Sequence, residues 1–515
     1  MNEAIAKRSS VRGASRREAL IAAELSAYTL STMKPIQPWH WRKLPLAKFS
    51  GAQVFEALFL NPRGETSNSD VETLQGRSRQ RIATLLESPV TPSTHLARYS
   101  ICAGSPRLIE GQQRLWTPPL GDILPFLRLL NSHQDEDASM KAESIVPAEL
   151  PFTGGWLGWL GYDLAWEIEQ LPQHKVDPLP FPQAYWYEPE SFAVADHQQQ
   201  ILWLAATDLA QLTVMQSQLE QADEERGTQN FPQEHKTTPV TPIFQMSQED
   251  YMMAVQQAKK YIQAGDIFQT NLSVRFSTQT SSDSWEIYRT LQQINPSPFA
   301  SFWRSPWGDV ISCSPERLVQ LYNGIAQTRP IAGTRSRGST IAEDNRLAQE
   351  LIASAKEQSE HIMLVDLERN DLGRVCQWGS VQVDELLTIE RYSHVMHLVS
   401  NVRGVLPPEV SPIELIRAMF PGGTISGCPK VRCMEIIEEL EPVRRSLFYG
   451  SCGYLDWRGN LDLNILIRTL LVTPRGNSSV VWGQVGAGIV ADSDPETEWY
   501  ESLQKAQAQI AALRV

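Results

Sequence analysis

Acidic side chains that could hold a metal ion occur in two separate parts of the 515-residue sequence. Glu498 and Glu501 are three residues apart on a predicted helix that begins at Asp494-Pro495, so they share one face. Glu360 lies in another predicted helix. Proteins hold Mg²⁺ with one or two carboxylates, and waters and an anionic substrate complete the octahedron. These acids could therefore form a magnesium site. The alternative is that acids in a first helical turn only interact favourably with the helix dipole, as they often do.

A further carboxylic acid, Glu316, precedes a predicted β-hairpin. Asn323-Gly324 separates the apolar runs LVQLY and IAQTRPI, and Asn-Gly suits a two-residue turn with positive φ at both positions. Counting pairs outward from the turn places Glu316 opposite Ile331, two residues from Gly333. The backbone of a glycine can approach a ligand closely. The hairpin thus predicts a carboxylic acid against a Gly-Thr pair, and the alternative is an exposed glutamate in an ordinary hairpin.

Two more segments have the chemistry to bind an anion. Arg468 lies inside the apolar run LNILIRTL, which favours either a structural salt bridge or a bidentate clamp on a carboxylate. The segment GQVGAGIV follows a predicted strand, and its Gly486, Ala487 and Gly488 could present backbone N–H groups to a carboxylate. It does not open a helix, so a dinucleotide site is disfavoured. Glycines in a tight strand connection are the structural alternative.

The elements around these residues indicate an α+β protein with substantial antiparallel sheet. Ser247–Gly265 is a predicted helix with a serine cap, and the predicted strand DIFQTNLSVRFS after it places Gln269 near its start. Asn345–Arg374 is a second long helical stretch. RYSHVMHLVS offers His394 and His397 on a strand or short helix, where a histidine is more often packed than catalytic.

Composition restricts the class of protein. Apolar residues make up 42% and charged residues 20%, which is typical of globular proteins, and no apolar run approaches the ~20 residues that span a bilayer. The formal net charge of −13 argues against a nucleic-acid surface. The six cysteines show no C-x-x-C spacing, which favours a reducing compartment over a disulfide framework or zinc site. The sequence predicts a cytoplasmic protein that binds neither nucleic acid nor membrane.

The chain divides into four predicted regions. Residues 1–32 are rich in Arg and Ser; a disordered basic tail is the first interpretation, and a transit peptide, which would imply a plastid, is the alternative. Residues 33–219 mix strand and helix signals. Residues 220–243 lack apolar periodicity and are a predicted linker. Residues 244–515 form a C-terminal region that holds all the segments named above.

Several motifs resemble one enzyme family in the same order. SPERL followed by RPIAGT is similar to the chorismate-utilising enzymes, specifically anthranilate synthase component I and aminodeoxychorismate synthase component I. FPGGTISGCPKVRCMEIIEELEP, with its GT-x-SG-x-PK pattern, and GGWLGWLGYD extend the resemblance. It implies a fold of large antiparallel sheets with flanking helices, a chorismate-binding catalytic domain at 244–515, and an anthranilate synthase component I-like region at 33–219.

The resemblance also implies roles for residues. Glu316 would be the general acid for the C4 hydroxyl of chorismate, and His397 would assist the loss of pyruvate. Mg²⁺ would be held by Glu360 and Glu501 of the motifs SEHIMLVDLERND and ETEWYES, with Glu498 nearby. The residues expected to bind the dicarboxylic substrate are Gly333, Thr334, Thr424, Tyr454, Arg468, Gly486, Ala487 and Gly488.

A regulatory site follows from the same resemblance. The LLES stretch of anthranilate synthases contributes to the site at which tryptophan inhibits, and this chain has the same letters at Leu85–Ser88. The anthranilate branch typically has a PYM-like triplet where this chain has Pro298-Phe299-Ala300. The residues expected to line a tryptophan pocket are therefore Ser88, Pro298, Phe299 and Ala300.

The nitrogen of the product requires a source of ammonia. GSCGY around Cys452 resembles a nucleophile turn, but it lacks the G-x-C-x-G-x-Q pattern of glutamine amidotransferases. No histidine follows His397, so Cys452 has no later histidine as a base. The expected partner is a glutamine amidotransferase subunit on a separate chain, and free ammonia is the alternative.

Ala332 separates the two leading activities. Many aminodeoxychorismate synthases resemble PIKGT here, with a lysine that can attack C2, whereas PIAGT is like the anthranilate synthases. GDIFQTNLS and NPSPFASFW look more like the aminodeoxychorismate branch. Two further alternatives are disfavoured. An isochorismate-forming isomerase of this family uses a lysine where this chain has Gln269. A binding protein without catalysis would need no general acid such as Glu316. The sequence favours anthranilate synthase component I, whose reaction is the first step of tryptophan biosynthesis. Aminodeoxychorismate synthase component I is the alternative.

Overall fold

The computed structural model describes residues 39–47, 49–60, 81–89, 98–132, 148–226, 240–392 and 395–514. The predicted tail at 1–32, residues 227–239 of the predicted linker and His394 lie outside the described residues. All six cysteines are free thiols, as the sequence predicts. Within the described ranges, none of the helices has the length and apolar character that a membrane span requires.

The strand ladders of the described residues are antiparallel throughout. The strands, in chain order, are β1 (His40–Pro45), β2 (Ala83–Glu87), β3 (Tyr99–Ala103), β4 (Leu108–Ile109), β5 (Gln112–Gln113), β6 (Leu115–Trp116), β7 (Gly155–Leu160), β8 (Ala184–Tyr187), β9 (Ser191–Asp196), β10 (Ile201–Ala206), β11 (Ile243–Phe244), β12 (Gln269–Thr280), β13 (Phe299–Ser305), β14 (Gly308–Ser314), β15 (Arg317–Tyr322), β16 (Ile325–Thr328), β17 (Ile331–Ser336), β18 (Gln382–Arg391), β19 (Val395–Val405), β20 (Gly427–Cys428), β21 (Ser451–Asp456), β22 (Leu461–Asn464), β23 (Thr469–Arg475) and β24 (Ser478–Ile489).

The helices flank the sheets. A π-helical turn (Glu56–Leu60) continues the first helix, and a 3₁₀ turn (Tyr162–Leu164) precedes the third. The α-helices, in chain order, are α1 (Gly51–Phe55), α2 (Ile123–Ser132), α3 (Ala165–Ile168), α4 (Leu209–Arg226), α5 (Gln248–Gln263), α6 (Ser284–Ile294), α7 (Ile341–Ala353), α8 (Ala355–Gly373), α9 (Pro412–Met419), α10 (Gly423–Ser426), α11 (Lys430–Leu440) and α12 (Pro495–Ala512).

Both large sheets contain strands from both predicted regions. The twelve-stranded sheet has the order β1-β10-β9-β3-β2-β13-β14-β23-β24-β12-β11, with β20 paired to β12. The ten-stranded sheet has the order β17-β19-β16-β15-β22-β21-β7-β8-β6, with β18 paired to β19. Because β2 pairs with β13 and β7 with β21, the regions 33–219 and 244–515 share both sheets. Helix α4 also runs through the first residues of the predicted linker.

Apolar side chains fill two cores, one on each face of the twelve-stranded sheet. Trp303 and Val310 lie in the core between the two large sheets, together with Trp159 of the ten-stranded sheet. Phe302 and Ile311, each one residue away, lie in a core that the sheet shares with helices. Successive side chains of a strand point to opposite faces, so strands that are apolar throughout can fill both layers. The predicted α+β fold is confirmed.

The predicted hairpin is also confirmed. Asn323 and Gly324 have φ values of 49° and 77°, and β15 pairs with β16 directly around them. The second strand stops at Thr328 and resumes as β17 along the same edge of β19. Pro330 lies in this break, where its missing N–H cannot interrupt a ladder. The hairpin therefore leads from the turn to the Gly-Thr pair in two collinear pieces.

Helix caps follow the sequence signals. Ser247 caps α5 by accepting a backbone hydrogen bond, and Asp494 caps α12, whose first residue is Pro495. The stretch Asn345–Arg374 differs from the prediction, because it contains parts of two helices, α7 and α8, rather than one. Ser354 ends the first helix and caps the second with its hydroxyl, which accounts for the break.

The run LNILIRTLLV is not one strand. β22 belongs to the ten-stranded sheet and β23 to the twelve-stranded sheet, so the chain crosses between the sheets just before Arg468. The chain makes a second crossing from β14 to β15 at Glu316. The two crossings lie side by side. The N–H of Ile465 donates to the C=O of Glu316 at 3.0 Å, and the N–H of Cys313 donates to the C=O of Arg468 at 3.2 Å.

Ser314 joins the two crossings, and its removal should destabilise the fold. Its buried hydroxyl donates to the C=O of Ile465 at 2.6 Å and accepts from the N–H of Glu316 at 3.2 Å. Ser314→Ala leaves both groups without this partner, so we expect the free energy of unfolding to fall by about 1–3 kcal/mol. Denaturant titration measures the change. Ser359→Ala, an exposed hydroxyl on α8, is the control and should change stability by less than about 0.5 kcal/mol; equal losses would contradict the role of Ser314.

Candidate active site

Glu316 lies at the crossing from β14 to β15 and is 6% exposed. Burial raises the pKa of Glu316 to about 8. The hydroxyl of Thr424, the charge of Arg468 and a hydrogen bond from the backbone N–H of Ile331 oppose this shift. Ile331 is the residue that the hairpin count places opposite Glu316. At neutral pH the side chain is therefore protonated and can act as an acid.

Arg468 lies beside Glu316, in the crossing from β22 to β23. Its φ of 51° lies in the left-handed region, which residues other than glycine seldom adopt. Its Nη1 donates to Oδ1 of Asn295 at 3.0 Å. Burial lowers the pKa of Arg468, but a guanidinium keeps its charge in a protein. With five N–H donors, this partly buried cation can bind a substrate carboxylate as well as Asn295.

His397 lies on β19 directly opposite Thr334 of β17. Its Nδ1 is 3.0 Å from Oγ1 of Thr334, and the ring also hydrogen-bonds to the backbone of Gly333. Gly333 is an extra residue in β17, a bulge with φ 63°. Burial, together with the charge of Arg468, lowers the pKa of His397 to about 4. The imidazole is therefore neutral at neutral pH and can accept a hydrogen bond or a proton.

The GT-x-SG-x-PK segment supplies Thr424 to this group. Thr424 lies in the short helix α10, and its hydroxyl is near Glu316, although it forms no hydrogen bond of good geometry with the described residues. Gly427, directly after α10, has φ 128° and pairs with Thr270 of β12. The segment thus connects the acid at the crossing to the start of β12.

Gly486, Ala487 and Gly488 lie within β24, not in a strand connection. They pair with β12 on one side, whereas β23 pairs with β24 only as far as Gly483. Within the part of the chain that the structure describes, the other edge of β24 is therefore open beside them. Alternate backbone N–H groups along that edge can donate to an anion. A Cβ at Gly488 would lie 2.5 Å from Nε2 of Gln269, so a larger residue there would displace the end of the Gln269 side chain.

Three glutamates from two helices come together. Glu360 on α8 is close enough to Glu498 and Glu501 on α12 for their charges to act on it. Burial raises the pKa of Glu360, and these two charges add to the rise, whereas Lys356 lowers it. Lys356 lies 3.8 Å from Glu360, and Lys505 pairs with Glu501 at 2.9 Å. The result is a partly exposed group of carboxylates that repel one another.

The donor set fits a magnesium ion with few protein ligands. No cluster of three or more His, Cys, Asp or Glu side chains that could hold a metal ion exists among the described residues. Mg²⁺ does not need one, because it keeps several waters and commonly takes one or two carboxylates from the protein. The mutual repulsion of Glu360, Glu498 and Glu501 is the other point in favour, since a cation would relieve it.

Two residues outside the predicted set also position this site. Glu357 lies one helical turn before Glu360, and its Oε2 is 2.7 Å from where a Cβ on Gly333 would be. Its Oε1 accepts from Arg335 at 3.2 Å, so Glu357 joins α8 to the bulge. The i, i+3 spacing to Glu360 was the available signal. Asn295, the partner of Arg468, gave no signal, because only the fold brings them together.

A second candidate site is a cavity that lies apart from these residues. Its volume is about 690 Å³, and Glu316, His397 and Arg468 do not line it. β2 pairs with β13, which brings the two predicted regulatory segments together. The hydroxyl of Ser88 is buried there without a hydrogen-bond partner among the described residues. The cavity is lined by all four residues expected to bind tryptophan: Ser88, Pro298, Phe299 and Ala300.

Tyr454, which the sequence predicts to bind substrate, lines this cavity. It belongs to β21 of the ten-stranded sheet and packs edge-on against Phe152, 5.6 Å away. Arg317, the residue after Glu316, also lines the cavity and stacks over Phe299 at 4.9 Å. The two sites therefore meet at the crossing.

Comparison with known proteins identifies the family of this architecture. A relative from Synechocystis sp. (strain ATCC 27184 / PCC 6803 / Kazusa), named anthranilate synthase component I-like protein, is 58% identical over 483 residues, 93% of this chain and 92% of that protein. Aminodeoxychorismate synthase component 1 of Bacillus subtilis (strain 168) is 43% identical over 430 residues, 81% and 90% of the two chains. The crystal structure of anthranilate synthase component I from Streptococcus pneumoniae TIGR4 is 31% identical with a TM-score of 0.66, over 87% of this chain and all of that chain.

The resemblance drawn from the motifs is thereby confirmed. A family model described as chorismate binding enzyme matches residues 83–511, which include strands of both predicted regions. The match extends from β2, next to the cavity, to the end of α12, which carries Glu498 and Glu501. The chain belongs to the chorismate-binding enzyme family.

Proposed function

We propose that the protein is component I of an anthranilate synthase, which converts chorismate and ammonia to anthranilate and pyruvate. The observation that carries the proposal is a protonated acid, Glu316, and a neutral imidazole, His397, both held against the segment Ile331–Thr334. The first can protonate a leaving hydroxyl, and the second can accept a proton in an elimination. Ala332 in the same segment offers no amine that could attack the substrate.

The substrate is a dicarboxylate, and two groups of donors are suited to it. Arg468 is a fixed cation next to the acid and the imidazole, and a guanidinium binds a carboxylate with two parallel hydrogen bonds. The open edge of β24 at Gly486–Gly488 offers backbone N–H groups to an anion. Thr424 and Thr334 add hydroxyls near Glu316 and His397. These donors would hold the ring with its C4 hydroxyl toward Glu316.

The chemistry then requires several proton transfers. As ammonia forms its bond to C2, the ring double bonds shift and the C4–O bond breaks, and Glu316 gives its proton to the departing oxygen, which leaves as water. The new ammonium group on C2 loses one proton and becomes an amine, which balances the proton that Glu316 gave. The intermediate next loses the C2 proton, which the neutral imidazole of His397 can accept. The enolpyruvyl group leaves with the electrons of its C–O bond and becomes pyruvate when it gains a proton. The ring is then aromatic, which makes this step favourable.

The metal site belongs to the same proposal. Glu360 and Glu501, with Glu498 nearby, would hold Mg²⁺. When bound, the ion supplies positive charge that neutralises and orients a substrate carboxylate. Lys356 and Lys505 partly balance the charge of these acids.

Ammonia would come from a glutamine amidotransferase on a separate chain. Cys452 is not a nucleophile of that kind, because it is buried in β21 and its Sγ contacts Oδ1 of Asn464. Burial raises the pKa of Cys452 to about 11, which keeps the unreactive thiol form. Cys452 therefore offers no glutaminase nucleophile in place of the partner, and the product would enter tryptophan biosynthesis.

Aminodeoxychorismate synthase component I is the second candidate. The Bacillus subtilis relative of that name is 43% identical to this chain. Asn271 in GDIFQTNLS and Phe299 in NPSPFASFW are the residues that look more like that branch. In that reaction the amine must end at C4: a nucleophile of the enzyme would add at C2 as the C4 hydroxyl leaves, ammonia would then add at C4 and expel that nucleophile, and the enolpyruvyl group would stay on the ring. Ala332, where many members of that branch have lysine, is the residue against this candidate.

Product analysis tests the choice. Purified protein with chorismate, Mg²⁺ and ammonium should form fluorescent anthranilate and an equal amount of pyruvate. Ala332→Lys puts an amine next to the Gly333 bulge, so we expect it to divert or block this route. The variant Ala326→Ser, on β16 away from the bulge, is the control for a substitution in the same hairpin. Formation of 4-amino-4-deoxychorismate without pyruvate by the wild type would overturn the proposal and favour the second candidate.

The acid role of Glu316 predicts an alkaline limit to activity. Because its pKa is raised to about 8, kcat/KM for chorismate should hold below that pH and fall as the pH rises through it. Glu316→Gln should lower kcat by about 10²- to 10⁴-fold and remove the alkaline decrease in kcat/KM, the alkaline limb of the pH profile. Rates are compared at a constant concentration of unprotonated ammonia. Glu286→Gln, an exposed acid on α6, should retain rate and limb. A limb that survives Glu316→Gln belongs to another group.

The metal assignment predicts that a substitution of Glu360 leaves stability intact without magnesium but removes the stabilisation that magnesium gives. Glu360→Gln removes one charge from a group of carboxylates that repel one another, so stability without metal should not fall. The rise in melting temperature on addition of Mg²⁺ should be lost, because the stabilisation of the folded state by a ligand falls as its affinity falls. Mg²⁺-dependent turnover should also be lost. Glu350→Gln, in an exposed ion pair on α7, is the control. Undiminished Mg²⁺ stabilisation in Glu360→Gln would contradict the assignment.

Tryptophan inhibition through the cavity is the last part of the proposal. The cavity has the size of ligand sites in general, and its walls carry aromatic rings and the unpartnered hydroxyl of Ser88. We expect tryptophan to inhibit the wild type by favouring a less active state. Ser88→Leu fills the space and should abolish inhibition with little change in turnover. Ser478→Ala, at the far end of β24, should leave inhibition intact. Equal activity of the wild type with and without tryptophan would exclude this ligand.

A further inference from the structure

A second buried acid, Glu368, lies next to the general acid and has no part in the proposed reaction. It belongs to α8 and is 5% exposed. Its carboxyl accepts a hydrogen bond from the backbone N–H of Gly423. Its Oε2 is buried and has no hydrogen-bond partner among the described residues. A buried carboxyl that is only half satisfied is costly for the fold, so its presence needs a reason.

The short helix α10 joins Glu368 to Glu316. Gly423 and Thr424 are consecutive residues of this helix. The first donates its N–H to Glu368, and the hydroxyl of the second acts on Glu316. A Cβ on Gly423 would lie 3.3 Å from Oε1 of Glu368 and 2.4 Å from Leu367, so α8 and α10 are in close contact here. The two acids therefore lie against two adjacent residues of α10, and the charge of Glu316 acts on Glu368.

Four other charged groups surround the pair. Asp371, one helical turn after Glu368, forms an ion pair with Lys430 of α11 at 2.6 Å. Arg374 at the end of α8 acts on Asp371, and Arg468 acts on Glu316. Burial raises the pKa of Glu368 to about 8, and the charges of Asp371 and Glu316 add to the rise while Lys430 opposes it. Both acids consequently carry protons at neutral pH.

We propose that Glu368 is a positioning residue for Glu316: the two carboxyls form one buried pair, bridged by Gly423 and Thr424, in which a negative charge on either acid opposes the ionisation of the other. The pair keeps Glu316 protonated further into the alkaline range than burial would keep it by itself. Its carboxyl also holds α10, and so Thr424, against α8. This inference rests on the proposed function, because turnover of chorismate is what reports the proton on Glu316.

A coupled pair has a recognisable titration. Two acids that repel each other lose their protons in two steps that belong to the pair and not to either residue. The alkaline limb of kcat/KM in the wild type should therefore be broader than the curve of a single ionisation. Removing the charge of one member leaves one step, at lower pH.

The experiment compares kcat/KM for chorismate from pH 6 to 10 in the wild type and three variants, at a constant concentration of unprotonated ammonia. Glu368→Gln keeps an oxygen for the N–H of Gly423 but cannot ionise. We expect its limb to narrow to a single ionisation and to move by about one pH unit toward acid, which is an about tenfold lower kcat/KM on the alkaline side. Glu368→Ala also loses the acceptor, so its melting temperature should fall further than that of Glu368→Gln. Asp366→Asn, an exposed acid of the same helix, should keep the wild-type limb.

Two outcomes would overturn the inference. One is a Glu368→Gln limb that superimposes on that of the wild type. The other is a wild-type limb that fits a single ionisation, and this needs no variant, so the test stands even if Glu368→Gln does not fold. Failure of the proposed function is distinguishable, because the wild type would then form no anthranilate from chorismate, whatever its pH profile. Turnover with an unchanged limb would remove only the role of Glu368.

Discussion

The hydrogen bonds that hold two chain crossings side by side are the constraint on which the site depends. Cys313, Ser314 and Glu316 in one crossing bond to Ile465 and Arg468 in the other. Since each crossing passes from one large sheet to the other, neither sheet can shift without moving both. The acid and the guanidinium are therefore fixed by the same bonds that join the sheets. The bulge at Gly333 and the short helix α10 then need only to reach this fixed point.

Burial makes both proton-transfer groups uncharged at neutral pH. It disfavours the carboxylate of Glu316 and the imidazolium of His397, which raises one pKa and lowers the other. Arg468 is then the charge that acts on both of them. A site of two neutral groups and one cation suits an anionic ligand, whereas an ionised Glu316 would repel it. Burial of these groups costs folding free energy, and the same burial sets the protonation states on which the proposed proton transfers depend.

Sequence patterns predict what is local. Asn323-Gly324, Ser247 and Asp494 specify a turn or a cap within a few residues, and the structure contains all three. The change of sheet before Arg468 could not be predicted, because an apolar run reads the same within one sheet or between two. The sharing of sheets by both halves and the place of Tyr454 depend on pairing between distant strands. Motif resemblance predicted the candidate site residues, and only the fold shows which of them lie together.

Glu316 and Arg317 are neighbours in sequence, yet the first lies beside Arg468 in the candidate active site and the second lines the cavity. One peptide unit therefore separates an acid with a shifted pKa from a residue that lines the cavity. Thermodynamic linkage is reciprocal, so a ligand that alters the hold of Glu316 on its proton has its own affinity altered by that proton to the same degree. Such a ligand would be bound with different strength on the two sides of the pH at which Glu316 ionises. Cellular pH would then act as a second effector of whatever occupies the cavity.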